Sequence, residues 1–328
     1  MSNSANSFQR GIYHNPLVRR LARWLDAPPR PPIACEISSG RIAGVRFTRG
    51  GAVDDLAIES LPPGAIVPAA VEVNLANAGA VKSALRNVLL RLRAQEQDVA
   101  LLLPDPVIRV FIQRFEQFPR AAKDALPMLR WKLKKSIPFD ADETQISFMR
   151  QPSALEPGGV DVVTALARQR ILREYEMLVE EFGAFPGVIL SSSLAALSLL
   201  ADQGPALLAR ISGTSLATAI VRDGVLCGYR CTELPEDAHV LRPETLIEEI
   251  FPVAAYYQDT WKETIQTLRI SGLGGRLDSF AGPLQKEFGC PARSLLASAL
   301  SAGLLGADAQ ALVDNDLDGL AGWKLQRG

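Results

Sequence analysis

The sequence predicts a two-lobed α/β fold with a small α/β insertion in the first lobe, and three observations point to it. The chain has 328 residues, 48% of them hydrophobic and 22% charged, which is an ordinary globular balance and longer than the ~250–300 residues at which single cores stop growing. A pattern of strand, short polar turn, strand, glycine turn and strand runs through residues 33–60 and returns at 207–232, as expected of a duplicated lobe. Between these repeats, residues 106–185 carry their own alternation of strand and helix signals, which reads as an insertion.

The elements follow in order. Asn15-Pro16 offers a cap and a first-turn proline, and Leu17, Val18, Leu21, Trp24 and Leu25 share one face, so residues 15–26 read as an amphipathic helix. Its other side holds Arg19, Arg20 and Arg23, and the proline-rich run 27–32 ends it in a stiff linker. Strands are expected at 33–37, 41–48 and 52–60; the turns between them, at 38–40 and 49–51, are too short for crossovers, so the three form an antiparallel meander. Val81, Leu85, Val88, Leu89 and Leu92 mark a helix over 79–93, and 98–103 is a buried strand.

The insertion reads as strand 107–115, helix 121–135, strands 145–151 and 160–167, and helix 169–182. A strand at 187–190 and a helix at 191–201 return to the first lobe, and the second meander occupies 207–212, 216–222 and 225–232. Behind it come a helix over 243–260, a strand at 267–271, the turn Gly272-Leu273-Gly274-Gly275 and a helix over 276–288. The expected domains are 1–32 (leader helix and linker), 33–105 with 186–205 (first lobe), 106–185 (insertion) and 206–328 (second lobe, its last helix free to return to the first).

A formal net charge of −1 creates no global attraction to nucleic acid, which is not an expected partner. Residues 1–10 are polar and lack an apolar signal core, so Cys35, Cys227, Cys231 and Cys290 are expected as thiols in a reducing cytoplasm. The most apolar windows, 188–201 and 295–313, are broken by Ser, Gly or Asp and fall short of the ~18–20 apolar residues of a bilayer span. Cys227-x₃-Cys231 has only His239 nearby, where a structural zinc wants four ligands. With His14 the only other histidine, no catalytic constellation and no metal site are expected.

The duplicated meanders, each opening on a tight turn, and the late strand–glycine–helix turn resemble the actin-like (ribonuclease H-like) ATPase fold. The insertion narrows the resemblance to the PilM type IV pilus assembly family. Its most specific stretch is 129–148, where the helix with Trp131, Lys134 and Lys135 runs into Ile137-Pro138-Phe139 and then a strand. Supporting matches are the exit through Gly183-Ala184-Phe185-Pro186, the turn Ser271-Gly272-Leu273-Gly274-Gly275-Arg276-Leu277 and the last helix near Trp323, so the resemblance covers about 33–325.

The resemblance implies a cleft for ATP and Mg²⁺ lined by Glu36, Ser38, Ser39, Gly40, Arg210, Ser212, Gly213, Gly272, Gly274 and Gly275. The departures stand at its centre. Where the family's first phosphate turn reads roughly Asp-Ile-Gly-Ser, this chain has Glu36-Ile37-Ser38-Ser39; where the second reads Asp-x-Gly, it has Arg210-Ile211-Ser212, with Gly213 one position late. Hydrolysis in this fold needs carboxylates to hold Mg²⁺ and orient water, so the expectation is a pseudo-ATPase. An arginine can meet phosphate directly, which leaves nucleotide binding open. Plainer readings also stand: Glu36 as a hydrogen-bonded surface acid, Ser38–Gly40 as a chain turn, and the glycines as a turn needing positive φ.

The family's implied partner is PilN, a single-pass inner-membrane protein whose N-terminal tail is gripped in a groove beside the insertion. Trp131, Lys134, Lys135, Ile137, Pro138 and Phe139 are the expected contacts, and other pilus platform proteins and a second copy of the chain are further expected partners. The implied location is cytoplasmic and peripheral to the inner membrane. Residues 15–26 are read equally as touching an anionic membrane, a partner's groove or their own domain. The alternatives are a working actin-like ATPase or kinase, a membrane-tethered filament protein of the FtsA kind, and the cytoplasmic half of a GspL-like secretion protein.

Overall fold

Alternation along the first strand sets the layout. In the computed structural model, which describes residues 30–153, 155 and 158–326, β1 (Ile33–Ile37) turns Ile33, Cys35 and Ile37 to one core and Ala34 to another, as a strand buried on both faces must. The leader helix expected at 15–26, with His14, lies outside the described residues. β2 (Arg41–Phe47) and β3 (Val53–Ser60) complete an antiparallel meander, and β4 (Asp98–Leu103) and β8 (Phe185–Ser191) join β1 in parallel, giving the order β3-β2-β1-β4-β8. The crossover from β3 to β4 is α1 (Ala78–Arg91), capped by the Asn77 side chain, which accepts from Ala80 N at 3.1 Å. Its buried Val81, Ala84, Leu85, Val88 and Leu89 fall at helical spacing.

The insertion is a separate antiparallel sheet of β5 (Arg109–Phe115), β7 (Val160–Arg168) and β6 (Thr144–Pro152), packed against α2 (Ala122–Leu133) through Ala125, Leu129 and Leu133. It ends sooner than the expected 106–185. The helix α3 (Gln169–Glu180) turns Ile171, Leu172, Tyr175, Leu178 and Val179 into the first-lobe core beside α1, and the buried Tyr175 hydroxyl donates to Asn74 Oδ1 at 3.1 Å. An apolar face of that size satisfies itself against the larger core, so α3 is a first-lobe helix.

The second lobe repeats the first. β9 (Ala206–Ser212), β10 (Ser215–Arg222) and β11 (Val225–Glu233) form its meander, and β12 (Thr267–Ser271) and β13 (Ala292–Ser294) run parallel to β9, in the order β11-β10-β9-β12-β13. Between the two sheets lies a shared core of α4 (Ser192–Ala196), then, beyond α5 (Pro243–Trp261) and α6 (Leu277–Phe288), of α7 (Leu295–Ser301), α8 (Gln310–Asp314) and α9 (Asp318–Leu325). α5 and α6 cover the outer face of the second sheet. α9 packs on α4 and β1.

Candidate functional site

The same period of two that builds the sheets aims the site. On β1, Glu36 shares the face of Ala34, and on β9, Arg210 shares the face of Leu208; both faces look into the shared core between the lobes. Asp105 opens a short 3₁₀ turn just after β4, and Asp318 is the first residue of α9. Three first-lobe carboxylates thereby converge on one second-lobe guanidinium, and all four residues are buried.

Every nitrogen of the guanidinium is engaged. Arg210 Nε donates to Asp318 Oδ2 at 2.6 Å and Nη2 to Asp318 Oδ1 at 3.1 Å, a bidentate fork, while Nη2 also reaches Glu36 Oε1 at 2.5 Å and Nη1 reaches Asp105 Oδ2 at 3.3 Å. Asp105 is held in turn by the Ser191 hydroxyl (2.8 Å), the Ser193 amide (3.0 Å) and hydroxyl (2.6 Å) and the Tyr229 hydroxyl (3.3 Å). Arg210 is thereby committed to carboxylates of its own chain. It ties the lobes together across a cleft of about 440 Å³.

Electrostatics follow from three carboxylates facing one cation. Burial pulls the Arg210 pKa down, and Asp318, Glu36 and Asp105 more than reverse it, so the guanidinium stays charged. Burial raises the Glu36 carboxyl above its ordinary value of 4.5; Arg210 opposes this and Asp318 adds to it. Its Oε2 is buried without a hydrogen-bond partner. A carboxyl that titrates higher in the folded state contributes stability that is full below 4.5 and is lost as pH rises through the raised folded value. Relative to Glu36→Gln, the wild type should therefore lose stability as pH is raised from acid towards neutral, read as urea midpoints across a pH series. A difference that stays constant with pH contradicts this assignment.

The turns expected to cradle phosphate spend their polar groups on themselves. The Ser38 amide and hydroxyl donate to the Arg41 carbonyl at 3.0 and 2.9 Å, and the Arg41 amide donates back to Ser38 Oγ at 3.2 Å. The turns of the two lobes also touch: a side chain at Gly213 would put its Cβ 2.7 Å from Ser39 Oγ. Ser212 and Gly40 line the same cleft. Gly272, at φ +88°, lies against the Ile211 carbonyl; Gly274 has φ +51°, and Gly275 faces open space. Arg276 donates to the carbonyls of Ala238 and Leu241 and so holds that loop at the cleft's edge. Nine of the ten expected cleft residues line the cavity; Gly275 does not.

The expected partner contacts disperse. Ile137 is buried in the insertion core, which takes it out of reach of a partner, and Phe139 packs half-buried beside it under the Arg168 guanidinium. Pro138, Trp131, Lys134 and Lys135 are exposed. A different groove, of about 470 Å³, lies where β5 of the insertion meets β11 of the second lobe, walled also by Val67–Ala70 and floored by Asp105. β5 and β11 are outer strands of their sheets. At its far end the Gln151 side chain docks the insertion to β11, donating to the Leu226 carbonyl at 2.7 Å and accepting from its amide at 3.1 Å. Among the described residues no cluster of His, Cys, Asp or Glu fits a metal ion, the four cysteines are free thiols, and no helix is long and apolar enough to cross a membrane.

The sequence reading missed Asp105 and Asp318. A signal existed for the second: it stands at the start of the predicted last helix, but nothing in its spacing says that the helix returns to β1.

No protein-family model and no curated protein matches the chain. Solved structures do. It superposes on a chain of the PilM-PilN type IV pilus biogenesis complex with a TM-score of 0.68 at 17% identity, covering 91% of this chain and 100% of that one. A Bacteroides thetaiotaomicron protein with an actin-like ATPase fold and unknown function gives 0.51 at 10% identity, covering 87% of this chain and 95% of that one. The cytoplasmic domain of EpsL, an inner membrane component of the type II secretion system of Vibrio cholerae, gives 0.48 at 12% identity over 83% and 94%. The chain thus has the two-lobed actin-like ATPase fold.

Proposed function

We propose that this protein is an assembly adaptor of a type IV pilus or a related secretion machine, working at the cytoplasmic side of the inner membrane without hydrolysing nucleotide. Its task is to hold the extended N-terminal tail of an inner-membrane partner of the PilN kind. The observation that carries the reading is the groove between β5 and β11, where two sheet edges border one channel. An extended peptide laid there gains main-chain hydrogen bonds from an edge, while Phe111, Val110 and Tyr229 offer surfaces for its side chains. The likeness to the PilM-PilN complex supports the same task. The buried Arg210 hub supports the lack of hydrolysis, because the cation between the lobes is part of the chain and each of its three carboxylates is already paired with it.

The test is a fluorescence-polarisation titration of labelled N-terminal tails from the single-pass pilus and secretion proteins of the same cell. One tail should bind, and Ala69→Trp, which fills the groove from a half-exposed position, should weaken it by about tenfold or more. MgATP should leave the titration unchanged and release no phosphate. Failure of every tail to bind, or equal binding to Ala69→Trp, overturns the reading.

A further inference from the structure

Just ahead of β1 stands a cation that the described residues leave half satisfied. The Arg30 guanidinium lies 4.8 Å from the centre of the Trp323 ring on α9 and 5.5 Å from that of Phe47 on β2. Its Nη1 donates to the Lys324 carbonyl at 2.7 Å. Nε and Nη2 are buried without a hydrogen-bond partner among the described residues, and so is the indole Nε1 of Trp323. Three donors thus gather around one stacked pair with no acceptor, a costly state for buried polar groups. Asp308, the carboxylate beside Lys324, is taken by the Lys324 ammonium at 3.2 Å and the Val53 amide at 2.9 Å. Burial pulls the Arg30 pKa down to about 10, whereas Arg210, equally desolvated, is held up by its three acids.

We infer that this niche takes the carboxylate of Asp26, which seats the leader beside β2 and α9. Nε and Nη2 form the side-on fork of an arginine, the pair with which Arg210 grips Asp318, and a carboxylate meets that fork with two parallel bonds. Asp26 is the only acidic residue among residues 1–29. It precedes Arg30 by four residues, about 12 Å of extended proline-rich chain, which the two side chains close between them. An aspartate at the end of the helix expected over 15–26 opposes the helix dipole, a cost that the ion pair offsets. Arg30 holds the Lys324 carbonyl near the end of α9, and Asp318 at its start forks Arg210. A seated leader therefore braces this helix at the end opposite the hub. None of these residues lines the β5–β11 groove, so the inference stands whether or not that groove holds a tail.

Trypsin reads the seating directly, because Arg19, Arg20 and Arg23 are its sites in the leader and Pro31 shields the bond after Arg30. The full-length wild type should be cut at these sites about tenfold more slowly than Asp26→Ala, since cleavage follows the fraction of chains in which the segment is released. Arg30→Lys keeps the charge and loses the fork, so it should be cut as fast as Asp26→Ala, and the double variant no faster than either, as expected of one shared interaction. Sodium acetate, compared with sodium chloride at equal ionic strength, should raise the urea midpoint of Asp26→Ala, whose niche stands open, and leave the wild type unchanged. Equal cleavage of wild type and Asp26→Ala overturns the inference. So does acetate that stabilises the wild type as much as the variant, because the niche is then open to a solute anion. A wild-type leader that is cut fast in solution and protected only by anionic phospholipid vesicles also overturns it, and assigns the leader to a membrane.

Discussion

Arg210→Met should destabilise the folded chain by about 3–5 kcal/mol, the loss typical of removing one partner from a buried ion pair. Methionine fills much of the same volume, so the loss is electrostatic. Glu36, Asp105 and Asp318 stay buried with no cation between them, and each must then be neutralised or hydrated at a cost. Urea denaturation at neutral pH measures it. Arg210→Lys should fall between methionine and wild type, because a single ammonium cannot reproduce the fork to Asp318 while also reaching Glu36 and Asp105.

The order of effects within the hub is the sharper test. Three carboxylates face one guanidinium, so removing a carboxylate relieves surplus charge and removing the guanidinium creates it. Glu36→Gln should therefore cost much less than Arg210→Met, and adding Glu36→Gln to Arg210→Met should recover part of the loss, a non-additivity expected of groups in direct contact. If Arg210→Met costs less than about 1 kcal/mol, the range of exposed ion pairs, the hub does not hold the lobes.

Most of the sheet framework was legible because it rests on local patterns. Strand alternation and short polar turns placed both meanders, and the spacing of Val81, Leu85, Val88 and Leu89 placed α1. The limits of the insertion were not legible: α3 has a strongly apolar face, and nothing in its own sequence says which core that face joins. β13, with three residues, is too short to show a period. At the site, the replacement of an acid by Arg210 was plain in the sequence, whereas its consequence was not. An arginine at that position predicts phosphate affinity or an internal ion pair equally well, and Asp105 and Asp318, 105 and 108 residues away in the chain, decide between them. The partner contacts expected at Ile137 and Phe139 show the converse: the block that carried the resemblance is partly core, so it preserves the insertion's fold.

Gly272→Ala should cost about 2–5 kcal/mol, whereas Gly275→Ala, three residues on in the same turn, should stay within ~0.5 kcal/mol. Gly272 sits at φ +88°, where a Cβ is strained, and that Cβ would overlap the Ile211 carbonyl, a backbone atom of β9 that cannot swing aside. Gly275 has neither a positive φ nor any heavy atom within 4 Å of a built Cβ. A turn kept for a bound nucleotide would make both replacements tolerable to an unliganded fold; a turn kept for packing separates them. The overlap also bears on the hub. Ser271 is the register partner of Arg210 in the parallel β9–β12 pair, so moving β12 away at Gly272 displaces the strand that carries the guanidinium. Gly272→Ala combined with Arg210→Met should then cost less than the sum of the two, because the first already loosens what the second removes. Strict additivity would place the glycine turn and the ion-pair hub in separate units of the fold.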